Sequence, residues 1–598
     1  MKEADQLYKI RHSLAHIMAQ AVQDIYPNVK MGFGPPVDNG FYYDFDFGDV
    51  KVSEADLKNI EKKMYKIINQ KQEFSIFYKP LDQAVEMLEK MGQNYKVEYA
   101  RELVETGQAE NGELSFYQNG PFVDMCEGPH VVQTSEVPIK GFKLDRISGS
   151  YWRGDEKRPM LTRIYGLAFE TEEELKDYIR RRELAMQRDH RKLGTELELF
   201  LIDDEVGSGL PLWLPKGNVI RAELEKWAKE VEFKAGYHQV STPSITKSEL
   251  YYRSGHLPYY KESMFPPMAL DDNNEYYLRP MNCPHHHKIY GFRPRSYREL
   301  PFRLAEYGDM FRYEKHGSLS GLLRVRAMTL NDAHIYCELD QVKDEFKNVI
   351  GLYRLYYDKL RLGNFRVRLS LHDPASDKYV KNEDMWLFSE QIVRDILNDA
   401  GVSFIEEAGE AAFYGPKMDI QIKNLLGREE TVSTCQLDFV MAERFDLEYS
   451  AKDGTLKRPY IIHRAPLSTH ERMISFLIEF YGGAFPTWMS PVQVLLVPVN
   501  EDCMDYCNEI ANTLFESEFR VEIDDSSDSF NKKIRKGTTQ KIPNIWIIGN
   551  EEVSNRSVTW RRYARQQNQL KVDFTSAVEK LQFMRSDRVM DNFDDVEI

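Results

Sequence analysis

FRYEKHGSLSGLLRVRAMTLNDAHIY, at residues 311–336, alternates charged and apolar positions on both sides of a loop that contains two glycines. Because successive side chains of a strand point to opposite faces, Arg312 and Glu314 are predicted to share one face of a strand. Arg324 and Arg326 are predicted to share a face of the returning strand. Guanidinium groups grip phosphate at two points and stay charged. The hairpin is therefore a candidate phosphate platform, and the alternative is a solvent-facing hairpin held by salt bridges.

The length and composition predict an ordinary globular protein with several domains. A chain of 598 residues is longer than a domain with a single hydrophobic core. With 42% apolar residues, it has no apolar run near the roughly 20 residues that a membrane span needs. The N-terminus, MKEADQLYKIRHSLAH, lacks the apolar core of a secretory signal, which favours the cytoplasm. Six scattered cysteines do not indicate a disulfide framework.

The charge and the missing nucleotide motifs exclude several classes of site. A net charge of −16 argues against a protein that coats nucleic acid indiscriminately, although local basic patches are compatible with it. The sequence contains neither G-x-x-x-x-G-K-[ST] nor a G-x-G-x-x-G after a predicted strand, so P-loop and Rossmann sites lack their phosphate cradle. Bound phosphates would have to be held by side chains, and the arginines of the hairpin are the candidates.

Four stretches that differ in their pattern of predicted helices and strands indicate an α+β multidomain chain. Residues 1–170 mix helical and strand-like pieces and predict an α/β domain. Residues 171–192 predict a charged linker helix with Thr171 as its N-cap. Residues 193–489 alternate strands and long loops without a βαβ rhythm, which predicts a mainly antiparallel sheet flanked by helices. Residues 490–598 alternate strand and helix and predict a small α/β domain.

Three motifs, in the right order, resemble the signatures of class II aminoacyl-tRNA synthetases. FRYE with LLRVR resembles the second motif, HRAPLSTHER resembles the third, and KAGYHQVSTPSI more weakly resembles the first, which lies at the homodimer interface in this class. The resemblance implies that Arg312 holds the α-phosphate and the amino-acid carboxylate, Glu314 the adenine and Arg472 the γ-phosphate. It also implies ATP-binding roles for Arg324 and Gln436, with Mg²⁺ accompanying the ATP.

Three residues far apart in sequence resemble the zinc ligands of threonyl-tRNA synthetases. They are Cys283 in MNCPHHH, His334 in NDAHIY and His463 in IIHRAP. One thiolate and two imidazoles suit Zn²⁺, and three protein ligands leave a position open for a substrate. Taken singly, each residue has a plainer interpretation as a buried thiol or a core histidine. Together they match the family's site, and the resemblance extends from about Arg11 to about Lys580.

The resemblance implies threonine as the activated amino acid. Threonine and valine are nearly isosteric, so an apolar pocket separates them by only about 10²-fold. An open Zn²⁺ position can take both the α-amine and the β-hydroxyl of threonine, with Asp332 accepting the hydroxyl proton. Tyr414 and Lys417 resemble the family's substrate-covering loop, and Thr434 lines the same pocket. His256 in RSGHLPYY resembles a histidine linked to transfer onto the tRNA ribose.

Four positions depart from the form most associated with the family. Met328 stands where an aromatic residue is expected to stack on adenine, and Leu330 where a glutamine is expected near the substrate. His285 and Ser468 stand where glycine is common. We interpret the four as variation within the family, and the adenine-stacking role then passes to Met328.

A second, hydrolytic site is expected because serine also has an amine and a hydroxyl, so zinc rejects it poorly. Two histidines four residues apart on a predicted helix face the same way, and HSLAH and MCEGPH resemble the editing domain of bacterial threonyl-tRNA synthetases. By resemblance the pocket contains His12, His16, Lys96, Asp124, Cys126 and His130. In the favoured interpretation, His12 and Cys126 position a water that attacks the ester of seryl-tRNA. The three histidines and the cysteine also suit Zn²⁺, and structural histidines are a third possibility.

The C-terminal domain resembles the anticodon-binding domain shared by several class II enzymes. Its candidate RNA contacts are Lys533, Arg535 and Arg562. Splayed bases of the anticodon loop would stack on Trp560 or Tyr563.

The resemblance implies a cytoplasmic homodimer that activates L-threonine with ATP, transfers it to threonine tRNA and hydrolyses mischarged seryl-tRNA, without membrane or DNA partners. His12 falls too early to leave room for the small ubiquitin-like domain that often precedes the editing domain, so that module is expected to be absent. Two rival hypotheses are a different class II synthetase, such as a prolyl or alanyl enzyme, and a non-catalytic paralogue that regulates through RNA binding. The former lack this Cys/His/His set, and the latter has no need of intact Arg312, Arg324 and Arg472.

Overall fold

The computed structural model describes residues 5–107, 112–269, 274–363, 365–565, 569–594 and 596. The chain divides into two compact units, residues 1–183 and 184–598. Within the described ranges, no helix is long and apolar enough to cross a membrane. The predicted α+β multidomain class is confirmed.

The first unit combines two antiparallel sheets with a long helix that is buried over most of its length. Its helices are α1 (Gln6–Ile25), α2 (Leu57–Asn69), α3 (Leu81–Lys90) and α4 (Asn94–Glu105). Its strands are β1 (Lys30–Met31), β2 (Pro36–Val37), β3 (Gly40–Asp46), β4 (Phe74–Pro80), β5 (Glu113–Asn119), β6 (Phe122–Met125), β7 (Phe142–Tyr151) and β8 (Met160–Ala168). One sheet has the order β1-β3-β8-β7 with β2 beside β3, and the other has the order β4-β5-β6.

The predicted linker helix is two helices, α5 (Glu172–Gln187) and α6 (His190–Glu196). Thr171 caps α5 as predicted, because its hydroxyl accepts the backbone N–H of Glu174 at 3.2 Å. The side chain of Asp189 accepts the N–H of Arg191 and begins a new helix. One continuous helix over 171–192 is therefore wrong, since an N-cap residue interrupts it. The two compact units divide inside α5.

The second unit contains an eight-stranded sheet of order β11-β16-β17-β24-β21-β20-β18-β19, antiparallel except for its two outermost pairs. The strands of this part of the chain are β9 (Phe200–Leu201), β10 (Leu212–Trp213), β11 (His238–Gln239), β12 (Ile245–Lys247), β13 (Met268–Ala269), β14 (Glu275–Leu278), β15 (Arg295–Ser296), β16 (Phe302–Phe311), β17 (Ala327–Cys337), β18 (Arg366–Leu371), β19 (Phe404–Ala408), β20 (Lys417–Lys423), β21 (Glu429–Asp438), β22 (Tyr449–Ser450), β23 (Leu456–Lys457) and β24 (Tyr460–Arg464). The helices are α7 (Pro215–Lys234), α8 (Ser248–Ser254), α9 (His256–Tyr259), α10 (Cys283–Tyr290), α11 (Val342–Lys359), α12 (Glu383–Asp399), α13 (Met441–Arg444) and α14 (His470–Tyr481). The apolar faces of α7, α11, α12 and α14 pack on this sheet in one core.

The hairpin of residues 311–336 is shorter than its charge pattern predicts. Strand β16 ends at Phe311 and β17 begins at Ala327, so residues 312–326 form a loop. The N–H of Arg312 still donates to the carbonyl of Arg326 at 2.9 Å, which continues the pairing by one step. The prediction that Glu314 and Arg324 lie on strand faces is wrong, because the loop leaves the sheet directly after this bond.

The C-terminal part of the second unit is the predicted small α/β domain. Its sheet has the order β26-β25-β27-β28-β29, with parallel pairing around β25 and antiparallel pairing beyond β27. The strands are β25 (Val494–Pro498), β26 (Val521–Ile523), β27 (Asn544–Ile548), β28 (Ser557–Arg562) and β29 (Gln569–Asp573). The helices are α15 (Met504–Glu516), α16 (Phe530–Thr539), α17 (Asn550–Asn555) and α18 (Phe574–Ser586).

Candidate active site

Cys283, His334 and His463 meet in the centre of the large sheet. Cys283 begins α10, and the two histidines face each other as direct partners on β17 and β24. Their ligand atoms lie within 4.8 Å of one another, and all three side chains are buried. The Cys283 Sγ lies 3.4 Å from Nδ1 of His463. One sulfur and two imidazole nitrogens at this spacing form a donor set that suits Zn²⁺.

The hydrogen bonds behind the two imidazoles leave, on each ring, one nitrogen that faces the centre. Nε2 of His463 lies 2.9 Å from Oδ2 of Asp438, which leaves its Nδ1 toward Cys283. Nδ1 of His334 lies 2.8 Å from Nδ1 of His286, and His286 Nε2 lies 3.1 Å from a Glu306 oxygen.

This arrangement assigns the protons. For a neutral His286 ring, the Glu306 carboxylate, which can only accept, fixes the ring hydrogen on Nε2, so Nδ1 of His286 accepts from His334. Nε2 of His334 is then a lone pair, and it is buried without a hydrogen-bond partner. A buried, unpartnered nitrogen beside a thiol and a second imidazole fits a metal ion, and bonds from ligating histidines to carboxylates are typical of metal sites.

Burial sets the ionisation of these groups. It raises the pKa of the Cys283 thiol well above its usual value and lowers the pKa of His334 well below its usual value. The histidine is therefore in its neutral, ligating form. The thiol needs a nearby cation to ionise, which a bound divalent ion supplies.

A cavity of about 570 Å³ opens beside these three residues. It is lined by ten of the predicted site residues: Cys283, Arg312, Glu314, Arg324, Asp332, Tyr414, Thr434, Gln436, His463 and Arg472. Three of the departures from the family form, Met328, Leu330 and Ser468, line it as well. Burial raises the pKa of Asp332, with neighbouring cationic groups acting in the opposite sense.

Arginines converge at one end of the cavity. Arg472 donates to the carbonyls of Thr431 at 3.1 Å and Leu323 at 3.3 Å. Burial lowers the pKa of Arg472, and the positive charges of Arg312 and Arg324 lower it further. Nε of Arg312 is buried without a partner. Cations that repel one another at one end of a cleft form a site for a polyanion such as triphosphate.

One arginine of this group has an acidic partner. Nε of Arg324 lies 3.0 Å from Oε2 of Glu314. Over half of the Arg324 side chain is exposed, so the salt-bridge alternative considered for the hairpin is realised for this pair. Because an exposed pair of this kind contributes little to stability, Arg324 can exchange its partner for phosphate at small cost.

The segment before β20 brings Tyr414 over the candidate metal-ligand set, which is Cys283, His334 and His463. The Tyr414 ring stacks on His463 with 4.9 Å between ring centres. Its hydroxyl donates to Gln436 at 2.5 Å, and Gln436 in turn donates to Thr434 at 2.7 Å. Lys417 is not among the residues that line the cavity, because its ammonium pairs with the buried Asp419 at 3.1 Å.

His256 lies behind the wall of the cavity. Its ring is fully buried, with Nδ1 2.8 Å from the Ser254 hydroxyl and Nε2 3.3 Å from the sulfur of Met281. Met281 lines the cavity and His256 does not. Burial lowers the pKa of His256 to about 3, so the imidazole is neutral near pH 7.

The predicted residues of the first unit form a second cluster. Ligand atoms of His12, His16, Cys126 and His130 lie within 4.8 Å of one another. The Cys126 sulfur is 3.2 Å from Nε2 of His12 and 3.4 Å from Nε2 of His130. Burial lowers the pKa of His12 to about 4 and raises that of Cys126 to about 12, so both are neutral near pH 7.

Asp124 joins Lys96 to this cluster. Its Oδ1 lies 3.0 Å from the ammonium of Lys96, and its Oδ2 lies 3.7 Å from Nε2 of His16. The hydroxyl of the buried Tyr43 donates to the same carboxylate at 2.5 Å. All six predicted residues are thus assembled from α1, α4, β6 and the segment after it.

Of the three predicted anticodon contacts, two are buried and one is exposed. Lys533 is buried and donates to the backbone carbonyl of Asp524. Arg562 is buried and pairs with the carboxylate of Asp591. The prediction that these two residues contact RNA directly is wrong, because both cations are buried and cannot reach a ligand. Trp560 is also buried, whereas Arg535 is exposed.

Several residues that hold the site together are not among those predicted from the sequence. His286, Glu306 and Asp438 stand behind the metal-ligand set, and Tyr43 stands behind Asp124. The triple histidine at 285–287 and Asp438 in STCQLDF were visible signals. Their partners lie on other strands, so the contacts follow only from the sheet order.

The family comparisons agree with this geometry. The model of the tRNA synthetase class II core domain (G, H, P, S and T) matches residues 260–481, and the anticodon binding domain matches residues 493–584. The threonyl and alanyl tRNA synthetase second additional domain matches residues 114–165. An antiparallel sheet with an arginine-lined cavity and these matches define a class II aminoacyl-tRNA synthetase.

Individual relatives narrow the class. The chain is 48% identical to threonine–tRNA ligase of Geobacillus kaustophilus over 94% of its own length and 85% of that protein's. It is 46% identical to threonine–tRNA ligase of Streptococcus thermophilus, over 94% and 86%. The crystal structure of the RNA binding domain of threonyl-tRNA synthetase from Cryptosporidium parvum matches with a TM-score of 0.63 and 34% identity, covering 66% of this chain and 98% of that one. The chain belongs to the threonine–tRNA ligase family.

Proposed function

We propose that the chain activates L-threonine with ATP in the cavity beside Cys283, His334 and His463, and then transfers the threonyl group to the 3′ end of threonine tRNA. The observation that supports this most is the free lone pair of buried His334 Nε2, which faces a thiol and a second imidazole. The three side chains would hold Zn²⁺ with one position left for the substrate.

Selection of threonine rests on an ion and a carboxylate together. When bound, Zn²⁺ supplies a Lewis acid that recognises an amine and a neighbouring hydroxyl. Asp332 lines the same cavity and accepts the hydroxyl proton. Valine offers no hydroxyl, so the buried carboxylate would stay unsatisfied, which disfavours valine far more than one missing methylene would.

The cavity arginines orient the reacting groups. Arg312 holds the α-phosphate and the threonine carboxylate, and Arg472 and Arg324 hold the distal phosphates together with Mg²⁺. The carboxylate oxygen attacks the α-phosphorus and diphosphate leaves. Glu314 accepts the adenine amine, and Met328 covers the base in place of an aromatic ring. Guanidinium groups placed in advance around the triphosphate lower the barrier because they need no reorganisation.

Transfer completes the reaction when a ribose hydroxyl of the tRNA attacks the adenylate carbonyl and AMP leaves. Gln436 and Thr434 join Tyr414 in a chain of hydrogen bonds over the substrate. His256 has a role in transfer through Met281, which separates it from the cavity. Lys417 supports the covering loop through Asp419.

The first unit hydrolyses mischarged seryl-tRNA. His12 and Cys126 position a water, while the buried ion pair of Lys96 and Asp124 supports the cluster behind His16. Neutral imidazoles within 4.8 Å of a neutral thiol support this arrangement, because their lone pairs can accept a hydrogen bond from a water and orient it. The metal-binding alternative uses the same donor atoms, and zinc stoichiometry separates the two.

The remaining parts of the proposal concern partners and place. Residues 1–170 form the editing domain, 171–192 the linker, 193–489 the catalytic domain and 490–598 the anticodon-binding domain. Arg535, which is exposed on α16, contacts the anticodon loop. The enzyme works in the cytoplasm as a homodimer.

Threonine-dependent exchange of pyrophosphate into ATP tests the catalytic proposal. Cys283→Ala should abolish exchange and remove zinc from the protein, whereas Cys337→Ala, a buried cysteine on β17, should retain both. Retained threonine-specific exchange in Cys283→Ala would overturn the zinc assignment. Better exchange with serine or proline than with threonine would overturn the substrate assignment.

A further inference from the structure

His190, the first residue of α6, lies between helix α14 and the loop of residues 312–326. Its ring is 2% exposed. Nδ1 lies 2.7 Å from Oε1 of Glu479 on α14, and Nε2 accepts the backbone N–H of Leu322 at 3.1 Å. The imidazole therefore bridges a helix of the core and the loop that borders the cavity.

These two bonds allow only one form of the ring. The N–H of Leu322 can only donate, so Nε2 of His190 carries no hydrogen. The ring hydrogen is on Nδ1 and is donated to Glu479. A side chain that replaces His190 must both accept from the loop and donate to a carboxylate in order to keep this bridge.

The loop passes very close to the ring. A Cβ on Gly321 would lie 2.2 Å from Nε2 of His190, and Gly321 has a positive φ of 49°. Both facts restrict position 321 to glycine. The approach of the loop is thus fixed by a hydrogen bond and by the absence of a side chain.

The residues that follow belong to the proposed ATP site. The carbonyl of Leu323 accepts from Nη2 of Arg472 at 3.3 Å, and Arg324 pairs with Glu314. The His190 contact, the Arg472 contact and Arg324 therefore occupy three successive positions of the loop. A shift of Leu322 would move the guanidinium of Arg324 and a bond partner of Arg472 together.

We propose that His190 is a positioning residue for ATP, which holds the loop so that Arg324 and Arg472 meet the triphosphate. The inference rests on the proposed function, since it takes the arginine end of the cavity as the ATP site. His190 touches no substrate. It acts on ATP and not on threonine, because the positions that it holds, 322–324, carry Arg324 and a hydrogen-bond acceptor of Arg472 and do not include Arg312.

Steady-state exchange with ATP and threonine varied separately tests this role. His190→Ala should raise the KM for ATP about tenfold, because the buried N–H of Leu322 loses its acceptor. The KM for threonine and the zinc content should stay at parental values. His190→Gln can accept from Leu322 and donate to Glu479, so it should recover part of the loss. Lys192→Ala, exposed on the same helix, is the control.

Two further variants make the outcome decisive. Gly321→Ala should reproduce the rise in the KM for ATP, since its methyl group displaces the loop from the ring. Arg472→Ala tests the site itself: if exchange survives in it, the proposed ATP site is wrong. If Arg472→Ala is inactive while a folded His190→Ala keeps the parental KM for ATP, the positioning role is wrong. Equal changes in both KM values with loss of zinc would also overturn it.

Discussion

Asp438 lies 2.9 Å from Nε2 of His463, on the side of the ring that faces away from Cys283. The carboxylate fixes the ring hydrogen on Nε2 and leaves the lone pair on Nδ1, the nitrogen that faces the thiol. We expect Asp438→Asn to weaken zinc binding about tenfold or more, measured by competition with a chelator. Asp453→Asn, on the exposed turn before β23, should not change it. Unchanged affinity in Asp438→Asn would show that His463 does not need this partner.

Asp332 is expected to distinguish threonine from valine. In Asp332→Ala the β-hydroxyl loses its acceptor, so kcat/KM for threonine should fall about 100-fold while that for valine changes little. The measurement is pyrophosphate exchange with each amino acid, and exposed Asp340→Asn is the control. A parallel fall for both amino acids would contradict a role in selection.

Cys126 is expected to act in hydrolysis alone. Cys126→Ala should slow the hydrolysis of seryl-tRNA about 100-fold and leave threonine-dependent exchange at the parental rate. Its zinc content should remain one ion per subunit, the same as the parent. Two ions in the parent and one in the variant would instead support the metal-binding interpretation of the cluster.

The editing reaction should tolerate mild acid. Burial lowers the pKa of His12 to about 4, and burial together with the neighbouring histidines lowers that of His130 further. A lowered pKa keeps an imidazole neutral as the pH falls, so the enzyme-dependent rate of seryl-tRNA hydrolysis should stay level from about pH 8 to about pH 5.5. A rate that halves near pH 6.5 would indicate that a histidine with an ordinary pKa controls the reaction.

Substitution of Arg535 is expected to affect tRNA binding, and substitution of Arg562 is expected to affect stability. Arg535→Ala should weaken tRNA binding and leave the melting temperature unchanged, because its side chain is exposed. Arg562→Ala should lower the free energy of unfolding by about 3–5 kcal/mol, because the buried carboxylate of Asp591 loses its cationic partner. Filter binding and thermal denaturation measure the two effects. A stable Arg562→Ala variant with weakened tRNA binding would instead support the original prediction that Arg562 contacts RNA.

The sequence predicted the antiparallel sheet, the C-terminal α/β domain and the assembly of both histidine clusters, because each followed from local pattern or a recognisable motif. It placed Glu314 and Arg324 on strands because alternation of charge persists into a loop, where side chains are not held to faces. It predicted that Arg562 contacts RNA, because the sequence around a cation at the end of a strand does not show whether that cation is exposed or paired. Only the partner, Asp591, decides this, and it lies 29 residues away.

His334 and His463 are direct partners across β17 and β24, so under the proposed assignment the ion reports on strand register. A slip of one residue would turn one imidazole to the opposite face of the sheet. A newly made chain with mispaired strands would then be unable to retain zinc, however compact it became. The zinc content of a preparation would accordingly measure the fraction of molecules in which the central strands have met in register, before any substrate is added.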